Sequence, residues 1–447
     1  MTRTIDLKDR IGEETELRGW LLSRQDRGKV VFLTVRDGAG VAQLVCERAK
    51  LDAGLFARLG SLPLETPVTA RGRVALAPSR AVPRGEAARG AAPGAAPAAA
   101  VTPELHVESL DLGISAPDYP IGRKEHGPDF LMEQRHLWIR APREAAILRV
   151  RSSLEFACTD FLHREGFVRF DAPLMTPTAC EGTTELFELD YFGKSAYLSQ
   201  SGQLYSEAGI AALERVYSFG PCFRAEKSNT RRHLTEFWGV EPEMAYVDAE
   251  ANMAFQERFI RAILARVAEE RADDLVALGR DPGELSFGDA SFPVVLYDEA
   301  LAMLARLGRT VAWGEDLSVE DEEALTGQFD RPFFIYKYPV RCRAFYIEPD
   351  PLRPELALSS DCLMHGGFGE IITGGQRASD HDFLASRILE HGLGLGDFGW
   401  YLDLRKYGSV VHSGFGMGIE RMLRWICGLH HIREAIPFAR TPLRFAP

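Results

Sequence analysis

No uninterrupted apolar run in the 447 residues approaches the ~18 that a membrane span needs. The opening MTRTIDLKDR has no apolar signal core. Cysteine is sparse, with seven residues (46, 158, 180, 222, 342, 362 and 427) and no CxxC pair. An odd, scattered set excludes a disulfide framework and a cysteine-built zinc site, so the expectation is a cytoplasmic chain with reduced thiols. A GxxxxGK[ST] phosphate loop, an HExxH helix and a GxSxG elbow are all missing, which removes three large enzyme groups. The single GxGxxG match, at Gly394, Gly396 and Gly399, follows a helical stretch and lacks a βαβ setting, so it reads as a loop.

What is present is ordinary in bulk. At roughly 150 residues per domain the length predicts two or three domains. With 46% hydrophobic and 26% charged residues the chain is globular. The net charge of -12 is uneven: residues 1–100 carry 16 Lys+Arg against 11 Asp+Glu, and the remainder 36 against 53. A basic N-terminal piece on an acidic body suits a polyanion-binding module, with plain solvated charge as the alternative. Arginine outnumbers lysine 44 to 8, a bias that composition alone can produce.

The first hundred residues read as strands at Glu16–Ser23, Lys29–Arg36, Val41–Cys46, Pro67–Leu76 and Glu104–Leu110. A turn is expected over Arg24–Gly28, and a short helix over Leu51–Leu59 with Leu51, Leu55 and Leu59 on one face. Three strands, a helix and two strands make the layout of an OB barrel, a common carrier of single-stranded nucleic acid, with another small barrel as the alternative. The stretch 78–100 is Ala/Pro/Gly-rich and cannot bury enough surface to fold, so it is expected to be a disordered loop within the barrel. The expected domains are an OB fold over 1–112, a linker over 113–135 and a larger domain over 136–447. In that larger domain helices are expected at 145–165, 251–278 and 316–327. Strands are expected at 216–224, 234–247, 331–338, 344–347 and 369–373. A glycine-rich turn entering a helix is expected over 413–429. Strands and helices do not alternate strictly, which favours an antiparallel α+β domain.

Three stretches carry chemistry. FGPCFRAEKSNTRRHLTEFWGVEPE (219–243) sets Arg224, Lys227, Arg231, Arg232 and His233 among glutamates, Phe237 and Trp238. Arginines fork onto phosphate oxygens and an aromatic face takes a base, so a polyphosphate site fits, with a salt-bridged hairpin as the bland alternative. SSDCLMHGGFGEIITGGQR (359–377) offers Asp361 and Glu370, oxygen donors for a hard divalent ion, and Arg377 as a fork for a carboxylate or amide. GFGMGIERMLR (414–424) leads glycines into a helix with Glu420 and Arg421. Together they suggest an ATP·Mg²⁺ site outside the P-loop and Rossmann types.

These stretches resemble motif 2, the glycine-rich substrate strand and motif 3 of the class II aminoacyl-tRNA synthetases. Pro173 and Leu174 look like the end of motif 1, which in that family builds a homodimer. The subgroup resembled reads aspartate, asparagine and lysine and carries an N-terminal OB anticodon-binding barrel. KEHGPDFLMEQRHLWIR (124–140), CEGTTELF (180–187), YPVRCRAFY (338–346) and HIREAIPFARTP (431–442) extend the likeness over nearly the whole chain, closest to the asparagine-charging branch. The resemblance implies an OB barrel followed by a class II antiparallel-sheet catalytic domain, with ATP and Mg²⁺ as cofactors. Arg224 and Arg421 would be catalytic and bind ATP with Glu226, His233, Phe237 and Glu370. Mg²⁺ would sit on Asp361 and Glu370. The amino acid would meet Glu181, Gln203, Glu207, Glu226, Glu241 and Arg377, and anticodon bases would meet Phe32 and Gln43. The spacing from Asp361 to Glu370 is about two residues longer than in the archaeal-type aspartate enzymes.

The implied partners are L-asparagine and tRNA(Asn), with no membrane. Aspartate-charging relatives carry a lysine after QSPQLY, whereas this chain reads Gln200-Ser-Gly-Gln-Leu-Tyr205 and then Ser206-Glu207. A carboxamide wants one donor and one acceptor where a carboxylate wants donors only, so Arg377 with a nearby glutamate (207, 226 or 241) favours asparagine. The alternatives are an aspartate-charging enzyme, strict or non-discriminating, and a non-catalytic RNA-binding paralogue.

Overall fold

The computed structural model describes residues 2–77, 102–115, 117–122, 124–180, 185–228 and 230–446. They form two compact units that meet in sequence at Met132/Glu133. The loop expected over 78–100 lies outside the described residues.

The first unit is a closed five-stranded barrel of β1 (Glu14–Asp26), β2 (Val30–Arg36), β3 (Val41–Glu47), β4 (Pro67–Leu76) and β5 (Pro103–Leu112), in the order β1-β2-β3-β5-β4. Alternation drives it: Val31, Leu33 and Val35 of β2 and Ala42, Leu44 and Cys46 of β3 point inward and are buried. The opposite parity presents Phe32, Thr34 and Gln43 on the outer face, with Thr34 paired to Gln43 and Gln43 to Glu104. Two expectations need correction. Arg24, Gln25 and Asp26 are not turn residues but pair with Leu33, Phe32 and Val31, after a register shift between Leu21 and Ser23 lets β1 bend and run on. The helix begins only at Ala53, because the Asp52 carboxylate accepts the Leu55 N–H and caps it, leaving Leu51 ahead of the first turn.

The second unit adds β6 (Val168–Arg169), β7 (Met175–Thr176), β8 (Glu188–Tyr191), β9 (Lys194–Leu198), β10 (Arg215–Phe223) and β11 (Glu236–Ala245). They are followed by β12 (Val294–Leu296), β13 (Phe333–Tyr336), β14 (Ser359–Met364), β15 (Gly369–Gln376) and β16 (His412–Gly418). Eight of these make one sheet in the order β12-β13-β14-β15-β16-β11-β10-β6, and β7-β9-β8 form a small separate sheet. The six central strands are antiparallel, while the edge pairs β12/β13 and β10/β6 are parallel, so the sheet is mixed. Helices Pro142–Arg164, Ala249–Glu270 and Ile419–Ile426 bury Val150, Leu154, Phe259, Ile263 and Met422 in one core with Val240, Met244 and Phe415 of the sheet.

Several boundaries differ from the sequence reading. The long helix expected to 278 breaks at Arg271, whose φ of -126° and ψ of 23° are non-helical, and a short helix resumes over Ala272–Ala277. The acidic helix starts at Val319 because Ser318 caps it, leaving Asp316 outside. Residues 344–347 form no strand beyond an isolated bridge from Ile347 to Arg377. The glycine-rich segment after 412 is the central strand β16 rather than a turn. Its Gly414 is required by close approach, since a Cβ there would lie 1.9 Å from a Glu243 carboxylate oxygen.

Candidate functional site

The open face of the sheet carries a cavity of about 580 Å³ in the second unit. Strand periodicity builds its floor. On β11, Phe237, Gly239, Glu241 and Glu243 line the cavity while Val240 and Met244 point into the helical core. One strand therefore sets an aromatic at one end of the cavity and two carboxylates further along. Arg224 follows β10, with its guanidinium 5.5 Å from the Phe237 ring centroid.

At the Phe237 end, Arg421 from the first turn of the helix Ile419–Ile426 donates to Glu370 Oε1 at 2.7 Å and to its backbone oxygen at 3.3 Å. Desolvation pushes the Glu370 carboxyl up, but Arg421, Arg232 and Arg343 outweigh it and hold it at about 2. Arg232 donates to Glu322 at 2.6 Å. It sits where a side chain on Gly369, whose φ is +71°, would strike its guanidinium. His233 bonds through Nδ1 to the Thr230 and Ser228 hydroxyls, and burial with Arg421, Arg232 and Arg224 nearby lowers it to about 4. The arrangement is a cationic, partly desolvated cleft with an aromatic face, suited to an anionic nucleotide.

At the other end lies a donor–acceptor pair. Arg377 is buried, and its Nε and Nη2 donate to the two Glu243 carboxylate oxygens at 2.9 Å each. Both residues line the cavity. Nη1 has no hydrogen-bond partner among the described residues, and each Glu243 oxygen keeps a lone pair, so the pair offers one donor and one acceptor side by side. Gln203 and Glu241 line the same end, with Glu241 accepting the Gly202 N–H and the Ser218 hydroxyl at 2.8 Å. No lysine lines the cavity among the described residues.

The residues named from sequence divide accordingly. Arg224, His233, Phe237, Glu370, Arg421, Gln203, Glu241 and Arg377 line one cavity. Glu226 lies on the loop after β10, outside the lining, and Glu181 falls outside the described residues. Glu207 does not line the cavity: it is 3% exposed and stands behind it, held by Tyr401, Arg405 and His412. Asp361 is also behind the lining. Arg343 holds its Oδ2, while its buried Oδ1 has no partner among the described residues. A hard divalent ion still fits this corner, because ionised Glu370 faces the cavity and Asp361 keeps an unused carboxylate oxygen. Glu243 was missed, although EPE places it two residues after Glu241 and hence on the same strand face. Arg341 and Arg343 of YPVRCRAFY also line the cavity, without a pattern in the sequence that marks them.

Comparison with known proteins adds the following. Residues 127–442 match the family described as tRNA synthetases class II (D, K and N), and residues 15–112 match the OB-fold nucleic acid binding domain. The asparagine–tRNA ligase of Pelotomaculum thermopropionicum is 48% identical over 436 residues, covering 98% of this chain and 97% of that one. The enzyme of that name from Thermus thermophilus is also 48% identical, with 98% of each covered. Among solved structures, the asparaginyl-tRNA synthetase of Pyrococcus horikoshii complexed with asparaginyl-adenylate superposes with a TM-score of 0.91 at 40% identity, covering 100% of this chain and 99% of that one.

Proposed function

The chain belongs to the class II tRNA synthetases of the D, K and N group, and from that premise we propose that it is an asparagine–tRNA ligase. It joins L-asparagine to ATP as asparaginyl-adenylate with release of pyrophosphate, then passes the asparaginyl group to tRNA(Asn) with release of AMP. The observation that carries the choice of amino acid is the Arg377–Glu243 pair: a free Nη1 donor beside a carboxylate acceptor complements a carboxamide. Aspartate would bring a second carboxylate against Glu243, with no lysine to offset it.

The first step needs no general base, because the α-carboxylate of an amino acid is ionised at neutral pH. One of its oxygens forms a bond to the α-phosphorus as the bond to the bridging β-phosphate oxygen breaks, and the electron pair leaves with pyrophosphate. In this reading Arg224 and Arg421 neutralise the phosphates, and His233 lines the nucleotide. Phe237 takes the adenine face. Gln203 and Glu241 accept from the ammonium, and Arg377 with Glu243 reads the side chain. The work is positioning plus electrostatics. Glu370, with Asp361 beside it, would hold Mg²⁺, which when bound neutralises phosphate charge.

The assignment of residues 1–112 to anticodon binding, 113–135 to a linker and 136–447 to catalysis belongs to the same proposal, with Phe32 and Gln43 meeting anticodon bases on the outer barrel face. So does a homodimer through the catalytic unit, supported by the exposed apolar residues Phe156, Leu174 and Met175 there. No described helix is long and apolar enough to cross a membrane; work on tRNA and ATP belongs in the cytoplasm. Amino-acid-dependent ATP–pyrophosphate exchange tests the central claim: exchange with asparagine and little with aspartate is expected. Preference for aspartate would overturn the amino-acid assignment, and no exchange with either, tRNA present, would overturn the activity.

A further inference from the structure

Behind the Arg377–Glu243 pair lies a second, wholly buried set of charges that the reaction above does not use. Glu207 sits one helical turn after Gln203 and accepts its Nε2 at 3.0 Å, which leaves the Gln203 carbonyl oxygen uncommitted among the described residues. The Tyr401 hydroxyl lies 2.8 Å from both Glu207 oxygens. Arg405 Nη2 donates to Oε2 at 2.6 Å, and His412 Nε2 lies 3.1 Å from the same oxygen. Tyr401 and Arg405 are a turn apart on the helix Gly399–Lys406. Arg405 Nε holds the carbonyl of Ala378, and the Arg377 N–H donates to the carbonyl of His412. The network thus grips the chain on either side of Arg377. Glu207, Glu243 and His412 each bring a ligand atom within 4.8 Å of the others. The cluster is not a metal site, because guanidinium groups already occupy both carboxylates.

We propose that Glu207 is a specificity-determining positioning residue. It aims Gln203 and neutralises Arg405 behind the pocket, so that the pocket accepts an uncharged carboxamide and rejects a carboxylate. The physical reason is local charge balance. Arg377 is offset by Glu243, and a cationic Arg405 left unpaired a few ångströms behind them would favour an anionic side chain at low dielectric. The inference rests on the asparagine reading above and explains how that reading is enforced without any contact between Glu207 and the substrate.

The test is Glu207→Gln, which keeps the shape but removes the charge and exchanges one acceptor oxygen for an NH2 donor. Pyrophosphate exchange is measured with asparagine and with aspartate, at varied amino acid and varied ATP. The expected result is a fall of roughly tenfold or more in the asparagine-to-aspartate ratio of kcat/KM, with KM for ATP unchanged. Glu207→Asp, which keeps the charge, should retain the wild-type ratio even if both activities drop. Parallel loss with both amino acids, or an unchanged ratio in Glu207→Gln, would overturn the proposal. If Glu207→Gln does not fold, the double variant Glu207→Gln/Arg405→Met removes both charges and should restore a wild-type ratio; a lowered ratio there would equally overturn it. Wild-type protein in the same assay separates the two readings, since failure to prefer asparagine would sink the function itself and not this inference.

Discussion

Replacing Arg377 by lysine isolates what the guanidinium fork contributes beyond its charge. In the folded protein Arg377 makes two 2.9 Å bonds to a buried carboxylate and leaves Nη1 without a hydrogen-bond partner among the described residues, the donor proposed to meet the carboxamide. Lysine carries the same charge on a single nitrogen and cannot span both Glu243 oxygens while also reaching a carboxamide. One charge-assisted bond to Glu243 is lost, a cost of about 1.5–3 kcal/mol, which a thermal melt would register as a Tm several degrees lower. The substrate loses a bond of the same kind, so kcat/KM for asparagine should fall roughly 10- to 150-fold. KM for ATP should hold, because the proposed nucleotide end is lined by Arg224, Phe237 and Arg421. Exchange kinetics at varied asparagine and then varied ATP separate the two. An asparagine KM within about twofold of wild type in a folded variant would refute the role given to Arg377, given the size of one such bond. Equal losses for both substrates would mean general damage to the sheet.

Phe237→Ala should raise KM for ATP by roughly 5- to 150-fold, the range set by about 1–3 kcal/mol of base–aromatic stacking, while KM for asparagine holds; an unchanged ATP KM would remove Phe237 from the nucleotide site. His233 should titrate at about 4 in the free protein, since burial and then Arg421, Arg232 and Arg224 favour its neutral form. The unfolded chain binds that proton near pH 6.5, so the contribution of His233 to stability falls as pH drops from 6.5 through 4. Bound ATP brings negative charge and should raise the midpoint; an NMR titration near 6.5 that ATP does not move would contradict the placement. Phe32→Ala should weaken tRNA binding in the aminoacylation assay and leave tRNA-free pyrophosphate exchange untouched; a loss of exchange would argue against a role confined to the barrel.

Much of this protein was legible before folding because its signals are local. Alternating β-branched residues announce the barrel strands, since period-two burial is written into neighbouring positions. Clustered arginines beside Phe237 announce an anion site because phosphate needs forks and a base needs a face. Asp52 and Ser318 even mark the helix starts, since each is a short polar side chain that accepts a first-turn N–H. The lack of a lysine at Ser206 pointed to asparagine without any coordinates.

Other features depend on contacts that no local window contains. Glu207 and Glu243 are both glutamates in polar-looking stretches, yet one is sealed behind Tyr401 and Arg405, 194 and 198 residues away, while the other lines the cavity against Arg377, 134 residues on. Asp361 reads as a metal ligand by composition, and only the folded chain shows that Arg343, eighteen residues earlier, occupies one of its oxygens and leaves the other without a partner among the described residues. Glycines 414, 416 and 418 read as a turn because conformational freedom is their usual use. In the sheet Gly414 serves to leave room for the Glu243 carboxylate. Sequence determined which chemistry was available, because side-chain type fixes charge, donors and faces. The tertiary structure decided which of those groups meet a ligand and which only neutralise one another, because burial and long-range pairing are set by the sheet register.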